Sequence, residues 1–172
     1  MLEKLAGSKW FTVIDLKCGY WQIKLSKDSC QKVAFSTPDG HYEFVRMPIG
    51  LKNAPAEFCR IMHGLLGFLD FVEIYIYVII IHSKTFEEHM RHIEIVLEKL
   101  NKANLKINPL KCKWCASKIK VLGHVIMFNK IMMDPDKISA IVDMKSPRNI
   151  KELQRFLGLC NFYRSFIENF SE

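Results

Sequence analysis

Apolar residues follow two rhythms along this chain, every second position in some stretches and every third or fourth in others. Residues 9–16, KWFTVIDL, alternate as a strand does and close on an aspartate, Asp15. Cys18-Gly19-Tyr20 reads as a turn, and WQIKL after it as a second strand. QKVAFSTPDGHYEFVRM sets two β-rich runs around Pro38-Asp39-Gly40, the pattern of a hairpin. Pro48, Gly50 and Pro55 then interrupt the chain. From Ala56 onward Phe58, Ile61, Met62, Leu65 and Leu66 recur at helical spacing. The next stretch, VEIYIYVIIIHSK at residues 72–84, is nearly all β-branched or aromatic and predicts two short strands or a tight hairpin.

The second half is marked by helix starts. Thr85 with Glu88 three residues on is a capping box. Phe86, Met90, Ile93, Leu97 and Leu100 behind it predict one apolar face. A strand-like, basic segment with a turn at Pro109 follows, LKINPLKCKWCASKIKVLGHVI. Asp134 as N-cap with Pro135 at the first helical position opens a short helix. Asn149 and Glu152 cap a last one, whose expected buried stripe is Leu153, Phe156, Leu157 and Cys160. DMKSPRN, near residue 146, is the expected boundary. It separates a main domain over residues 1–145 from the start of a helical segment over residues 146–172. There is no internal repeat and no low-complexity tract.

Composition narrows the class. A chain of 172 residues, 49% hydrophobic and 25% charged, buries a core. A net charge of +7 suits a polyanionic partner such as nucleic acid and equally suits a soluble basic protein without one. No apolar run reaches the ~18 residues of a membrane span, so no membrane partner is expected. Met1-Leu-Glu-Lys opens no secretory apolar region, and Cys18, Cys30, Cys59, Cys112, Cys115 and Cys160 read as reduced thiols. The expected location is cytoplasmic or nuclear.

A strand–turn–strand ending in a carboxylate, a helix, a β-hairpin and a second helix make an α+β layout of the split βαβ, ferredoxin-like type. Polymerase palms use it to gather carboxylates at one sheet edge around two metal ions, although many unrelated domains share it. The residues say more. FTVIDLKCGYWQIKL, KVAFSTPDGHYEFVRMPIGLKNAPAEFCRIM, HSKTFEEHMRHIEIVLEKLNKANLKINPLKC, VLGHVI and KELQRFLGLCNFYRSFIENFS stand in one order and spacing. Together they resemble the reverse transcriptase of gypsy-type LTR retrotransposon Pol polyproteins, over essentially the whole chain.

That resemblance implies an RNA-directed DNA polymerase palm that uses Mg²⁺, deoxynucleotide triphosphates and a primer–template, alongside other Pol domains. It implies that Asp15 is the first metal-binding aspartate and Tyr20 the steric gate against a ribose 2′-hydroxyl. Pro48, Gly50 and Leu51 fall in the loop that packs against incoming nucleotide and template. Lys111 and Lys113 lie where relatives approach nucleic acid and pyrophosphate. Leu122, Gly123 and His124 begin the primer grip, and residues 147–171 lead into the thumb. It also implies a preceding fingers segment, with basic residues for the triphosphate, that the residues from Met1 onward do not include.

The departure falls within residues 72–84. The family carries Tyr-X-Asp-Asp there, then an apolar run and Ser-Lys. Anchoring on Tyr75 at one end and Ser83-Lys84 at the other puts the two aspartates at Tyr77 and Val78. Glu73, counted along a single strand, is ~13 Å from Tyr77, too far to substitute. Catalytic inactivity is therefore expected, with Mg²⁺ not bound productively. A non-catalytic nucleic-acid-binding module and a decayed retrotransposon fragment with no selected role remain as rival readings. CKWC at 112–115 has the gap of a zinc knuckle but no second ligand pair at usual spacing, so strand cysteines are expected. His89 and His92 are expected on a solvated helix face. Lys102, Lys106, Lys111, Lys113, Lys118 and Lys120 either follow a phosphate backbone or are solvated charge.

Overall fold

In a computed structural model, residues 2–170 are described. The elements run α1 (Leu2–Ala6), β1 (Trp10–Asp15), a 3-10 turn (Gly19–Gln22), α2 (Lys27–Lys32), β2 (Phe35–Thr37), β3 (Gly40–Tyr42), α3 (Ala54–Leu66), β4 (Val72–Tyr75) and β5 (Val78–Ser83). They continue with α4 (Phe86–Lys102), β6 (Lys113–Ala116), β7 (Lys118–Val121), β8 (His124–Met127), β9 (Lys130–Met133), α5 (Pro135–Val142), α6 (Ile150–Phe162) and a second 3-10 turn (Arg164–Phe166). Two compact units result, one from Ser8–Ser117 and one from Leu2–Gly7 with the chain from Lys118 onward. This division falls between Ser117 and Lys118, earlier in the chain than the boundary expected near residue 146.

The first unit is an antiparallel sheet of order β4-β5-β1-β6. Its connection order, strand–helix–hairpin–helix–strand, is the split βαβ arrangement expected of an α+β palm. Helices α3 and α4 cover one sheet face. Ile14, Val72, Ile79 and Ile81 from the strands pack with Phe58, Met62 and Leu66 of α3 and Ile93, Val96 and Leu100 of α4. Each fully buried side chain of this size stabilises the unit by about 1.5–3 kcal/mol. The β2–β3 hairpin stands apart as a two-stranded sheet. In the second unit β7, β8 and β9 form an antiparallel meander.

Local signals in the sequence hold where the interaction is local. Thr85 Oγ1 accepts from the Glu88 amide at 3.2 Å, and the Glu88 carboxylate accepts from the Lys84 amide at 3.1 Å. Asp134 accepts from the Asp136 amide at 3.2 Å. Asn149 Oδ1 accepts from the Glu152 amide at 2.9 Å.

Several expectations are corrected. WQIKL is not a second strand: Gly19–Gln22 is a 3-10 turn, and only an isolated bridge joins Lys24 to Arg46. The Gln22 side chain does a strand's bonding instead. Its amide donates to the Lys17 and Lys106 carbonyls and accepts from the Lys106 amide. Gln31 and Lys32 end α2 rather than begin the hairpin. The buried stripe of α4 is His89, Ile93, Val96 and Leu100, whereas Phe86 and Met90 are exposed. None of α6 is fully buried: Leu153 and Leu157 are exposed, Phe156 and Cys160 half-buried.

His89 is therefore not on a solvated face. It is 0% exposed and bridges two strands. Its Nε2 is 2.8 Å from Thr12 Oγ1, and its Nδ1 is 2.8 Å from Ser83 Oγ, which is also 2.8 Å from His92 Nδ1. Thr12 Oγ1 accepts from the Cys115 amide at 3.1 Å. One proton order satisfies every group. Thr12 donates to His89 Nε2, His89 Nδ1–H donates to Ser83, and Ser83 donates to His92. Burial, then the facing His92 and His82, lowers the His89 pKa to about 4. The imidazole is neutral at pH 7, as this order requires.

Candidate functional site

At its C-terminal end β1 opens into a cleft. The Asp15 carbonyl accepts from the Asn108 amide at 2.8 Å, and the Lys17 amide donates to the Lys106 carbonyl at 2.9 Å. Cys18 then takes φ 50°, a left-handed conformation that swings Gly19, Tyr20 and Trp21 across the strand end. The resulting cleft holds about 410 Å³. Asp15, Tyr20, Trp21, Ile49, Tyr77 and Lys111 line it. That volume lies within the ~300–1,000 Å³ of small-molecule sites. Tyr20 is held edge-on against Phe58, with ring centroids 5.5 Å apart. Burial raises its pKa, with Cys59 and Tyr77 adding to the effect, so the phenol stays neutral. A Cβ on Gly19 would lie 3.1 Å from the Phe58 ring and 3.5 Å from Tyr77 Cβ, which leaves little space behind the cleft floor.

Residues 72–84 form the expected hairpin. Tyr75 pairs with Val78, so Ile76 and Tyr77 are the turn. Ile76 has φ 51°, costly for a β-branched residue. Tyr77 is 46% exposed and faces the cleft. Val78 lies directly opposite Asp15 in the β1–β5 ladder, so the two Cβ atoms are ~4.5–5.5 Å apart. Glu73 and Tyr77 do not lie on a single strand, because the chain turns at Ile76 and Tyr77. Glu73 is opposite Ile80 on β4, on the same sheet face as Asp15 but two strands across and two residues along. That is still ~12 Å from Asp15.

The other expected site residues scatter. Ile49, exposed between the buried Pro48 and the exposed Gly50, represents its loop in the cleft, while Leu51 packs partly buried against the core. Lys113 is exposed on β6 opposite Val13. Leu122, Gly123 and His124 belong to the second unit, at the β7–β8 turn. The His124 ring is buried there beside Phe162, Tyr163 and Phe166. Of the lysine run, Lys120 pairs with Asp134 at 2.9 Å and with Asp136 while its side chain stays half-exposed. Lys17, Trp21 and Asn108 line the cleft without having been singled out. Their only signal was proximity in sequence to Asp15, Tyr20 and Lys111.

A pair of magnesium ions needs several hard oxygen ligands, with carboxylates shared between the ions. Asp15 is the one carboxylate among the cleft-lining residues, and a valine faces it across the ladder. Among the described residues no group of three His, Cys, Asp or Glu side chains is close enough to hold an ion, the cysteines of CKWC included. The donors present do not fit a two-metal centre. What the cleft offers is three aromatic side chains, two ammonium groups and one carboxylate, a lining suited to planar and anionic groups.

The sequence pattern of the family described as "Reverse transcriptase (RNA-dependent DNA polymerase)" matches residues 1–126. The chain belongs to the reverse transcriptase family. It is 42% identical, over its whole length, to the Retrovirus-related Pol polyprotein from transposon 297 of Drosophila melanogaster, covering 16% of that protein. It is 38% identical to the Transposon Tf2-3 polyprotein of Schizosaccharomyces pombe, covering 13% of it. The chain thus spans about a sixth or less of the curated relatives it matches. Among solved structures, 99% of the chain matches a foamy viral protease-reverse transcriptase in complex with double-stranded DNA, at TM-score 0.91 and 31% identity over 30% of that chain. The same protease-reverse transcriptase in complex with an RNA/DNA hybrid matches at TM-score 0.83 and 31% identity, over 24% of its chain. The reverse-transcriptase palm expected from the motifs is therefore the fold observed. Reverse transcriptases use divalent metal ions. Among the described residues no helix is long and apolar enough to cross a membrane.

Proposed function

We propose that this chain is a reverse-transcriptase palm that binds primer–template-like nucleic acid without extending it. The observation that carries the reading is the Asp15–Val78 pair. The family's motif sets its second and third aspartates at the positions of Tyr77 and Val78. A carboxylate opposite Asp15 would share an ion with it, and an isopropyl group supplies no ligand. Removing one ligand of a two-metal site weakens both ions, and removing two leaves no means to activate a 3′-hydroxyl.

Nucleic-acid binding is supported separately. Lys17 and Lys111 flank the cleft, and the chain carries a net charge of +7. The related foamy viral proteins were solved on double-stranded DNA and on an RNA/DNA hybrid. Tyr20, Pro48, Gly50 and Leu51 take the nucleotide side in this reading, and Lys111, Lys113 and Leu122 to His124 the backbone side. Residues 1–145 act as palm with partial fingers and residues 146–172 as the start of the connection to a thumb. Other Pol domains are the natural partners, since the curated relatives are polyproteins. Cytoplasm or nucleus suits the six cysteines, none of which is in a disulfide.

Primer extension on a poly-rA/oligo-dT template with Mg²⁺ tests the reading. No incorporation above a no-protein control is expected, and incorporation above it overturns the loss of chemistry. Binding to an RNA–DNA duplex is expected at about 50 mM salt and is expected to weaken steeply toward about 200 mM. It is also expected to be unchanged by chelator, because no ion bridges protein and phosphate.

A further inference from the structure

The turn between β7 and β8 has two residues, Leu122 and Gly123, closed by the Val121–His124 pair. Both have positive φ, 50° and 72°. Two left-handed residues in a two-residue loop make the type I′ turn that suits a twisted hairpin. Glycine enters this region freely; leucine does so under strain. A strained turn persists only where its surroundings hold it.

Three contacts hold this one. His124 Nδ1–H donates to the Leu122 carbonyl at 2.8 Å. The Gly123 carbonyl accepts twice, from the Asp134 amide at 2.9 Å and from the Tyr163 hydroxyl at 2.8 Å. The first two come from β8 and the start of α5. The third arrives from 40 residues away, at the end of α6. Tyr163 is 3% exposed, with Phe162 edge-on at 4.8 Å and His124 at 5.6 Å. A Cβ at Gly123 would lie 2.8 Å from the Tyr163 hydroxyl, so glycine is required both by φ and by this approach. Leu122 and Gly123 remain partly exposed, while Tyr163 and His124 present almost no surface.

We propose that Tyr163 is a positioning residue: its hydroxyl fixes the strained Leu122–Gly123 turn in the shape that meets the sugar–phosphate backbone of a bound duplex. This rests on the nucleic-acid reading above. Buried as it is, Tyr163 reaches no partner itself and acts through the Gly123 carbonyl. The C-terminal segment thereby governs a nucleic-acid contact far from it in sequence.

The test is Tyr163→Phe in the full chain, which keeps the ring and deletes the hydroxyl. Amide hydrogen exchange across the β7–β8 ladder is expected to speed up roughly tenfold, with the β1–β5 ladder unchanged. The Kd for a fluorescein-labelled RNA–DNA duplex is expected to rise about three- to tenfold with the same salt slope, since no phosphate contact is lost. Adding Leu122→Gly to Tyr163→Phe is expected to restore the exchange protection, because glycine holds the turn unaided. Exchange that is unchanged, that rises equally in both ladders, or that Leu122→Gly does not restore overturns the brace. A parent that binds while Tyr163→Phe binds equally well overturns the positioning role alone. A parent that binds no duplex at about 50 mM salt overturns the nucleic-acid reading itself.

Discussion

The two ends of the β1–β5 strand pair differ in what they do with polar groups. At one end Thr12 and Ser83 are buried and fully bonded through His89 and His92. At the other, Asp15 faces Val78 across the ladder at the mouth of an open cleft. The first end binds helix α4 to the sheet, and every proton in it has a place. The second end has the geometry of a carboxylate pair and one carboxylate. A buried polar network cannot lose a member without stranding the rest. A carboxylate at the edge of a cleft can be replaced by valine with little harm, because valine suits a strand and relieves the crowding of like charges. The fold therefore depends more on the buried, fully bonded end than on the end that lines the cleft.

Substitution at the two ends tests this contrast most strongly. His89→Ala takes one hydrogen-bond partner from each of Thr12 and Ser83 and leaves a cavity between them, and is expected to destabilise the chain by about 4 kcal/mol, roughly 10 °C in thermal midpoint. Asp15→Ala is expected to change stability by less than about 0.5 kcal/mol. Comparable losses in the two variants by urea unfolding would break the comparison.

Acid titration should give the next largest effect. His89 has a folded pKa of about 4, with His92, His82 and Glu88 around it. The unfolded chain takes up a proton below about pH 6.5 while the folded chain does not, so stability is full above that pH. It is expected to fall by about 3 kcal/mol between pH 6.5 and 4. His89→Gln should flatten that slope, and a slope that persists in the variant assigns the effect elsewhere.

Val78→Asp asks whether the open end can take up a divalent ion when a second carboxylate faces Asp15. Two carboxylates directly opposite each other are expected to lower stability by about 1 kcal/mol in chelator. Millimolar Mg²⁺ or Mn²⁺ should then raise the variant's thermal midpoint but not the parent's. A parent midpoint that rises with the cation would mean that Asp15 binds an ion without a partner. Lys111→Ala gives the smallest change, with no loss of stability and a salt slope for duplex binding lower by about one. An unaltered slope would remove Lys111 from the phosphate contacts.

Much of this was legible in the sequence because it is local. The caps at Thr85, Asp134 and Asn149 each involve residues within three or four positions, and the structure contains all three. The hairpin at residues 72–84 was visible because β-branched residues leave the backbone few alternatives. The misreadings concern distant partners. WQIKL alternates like a strand, yet Gln22 bonds to Lys106, 84 residues away, through its side chain. Phe86 and Met90 lose their place on the α4 core face to His89, whose bonding hydroxyls lie on two different strands. The α6 stripe was read correctly as apolar and wrongly as buried, since a pattern records what a face prefers and not what covers it.

By itself the sequence determined the family, the order of its motifs and the identity of the side chains at positions 77 and 78, because motif order and residue chemistry need no coordinates. Only the tertiary structure decided that Val78 faces Asp15, that Tyr77 turns into the cleft, and that Tyr163 supports the Leu122–Gly123 turn. Those facts depend on register and long-range closure, set by how buried faces pack together and not by any single stretch of the chain.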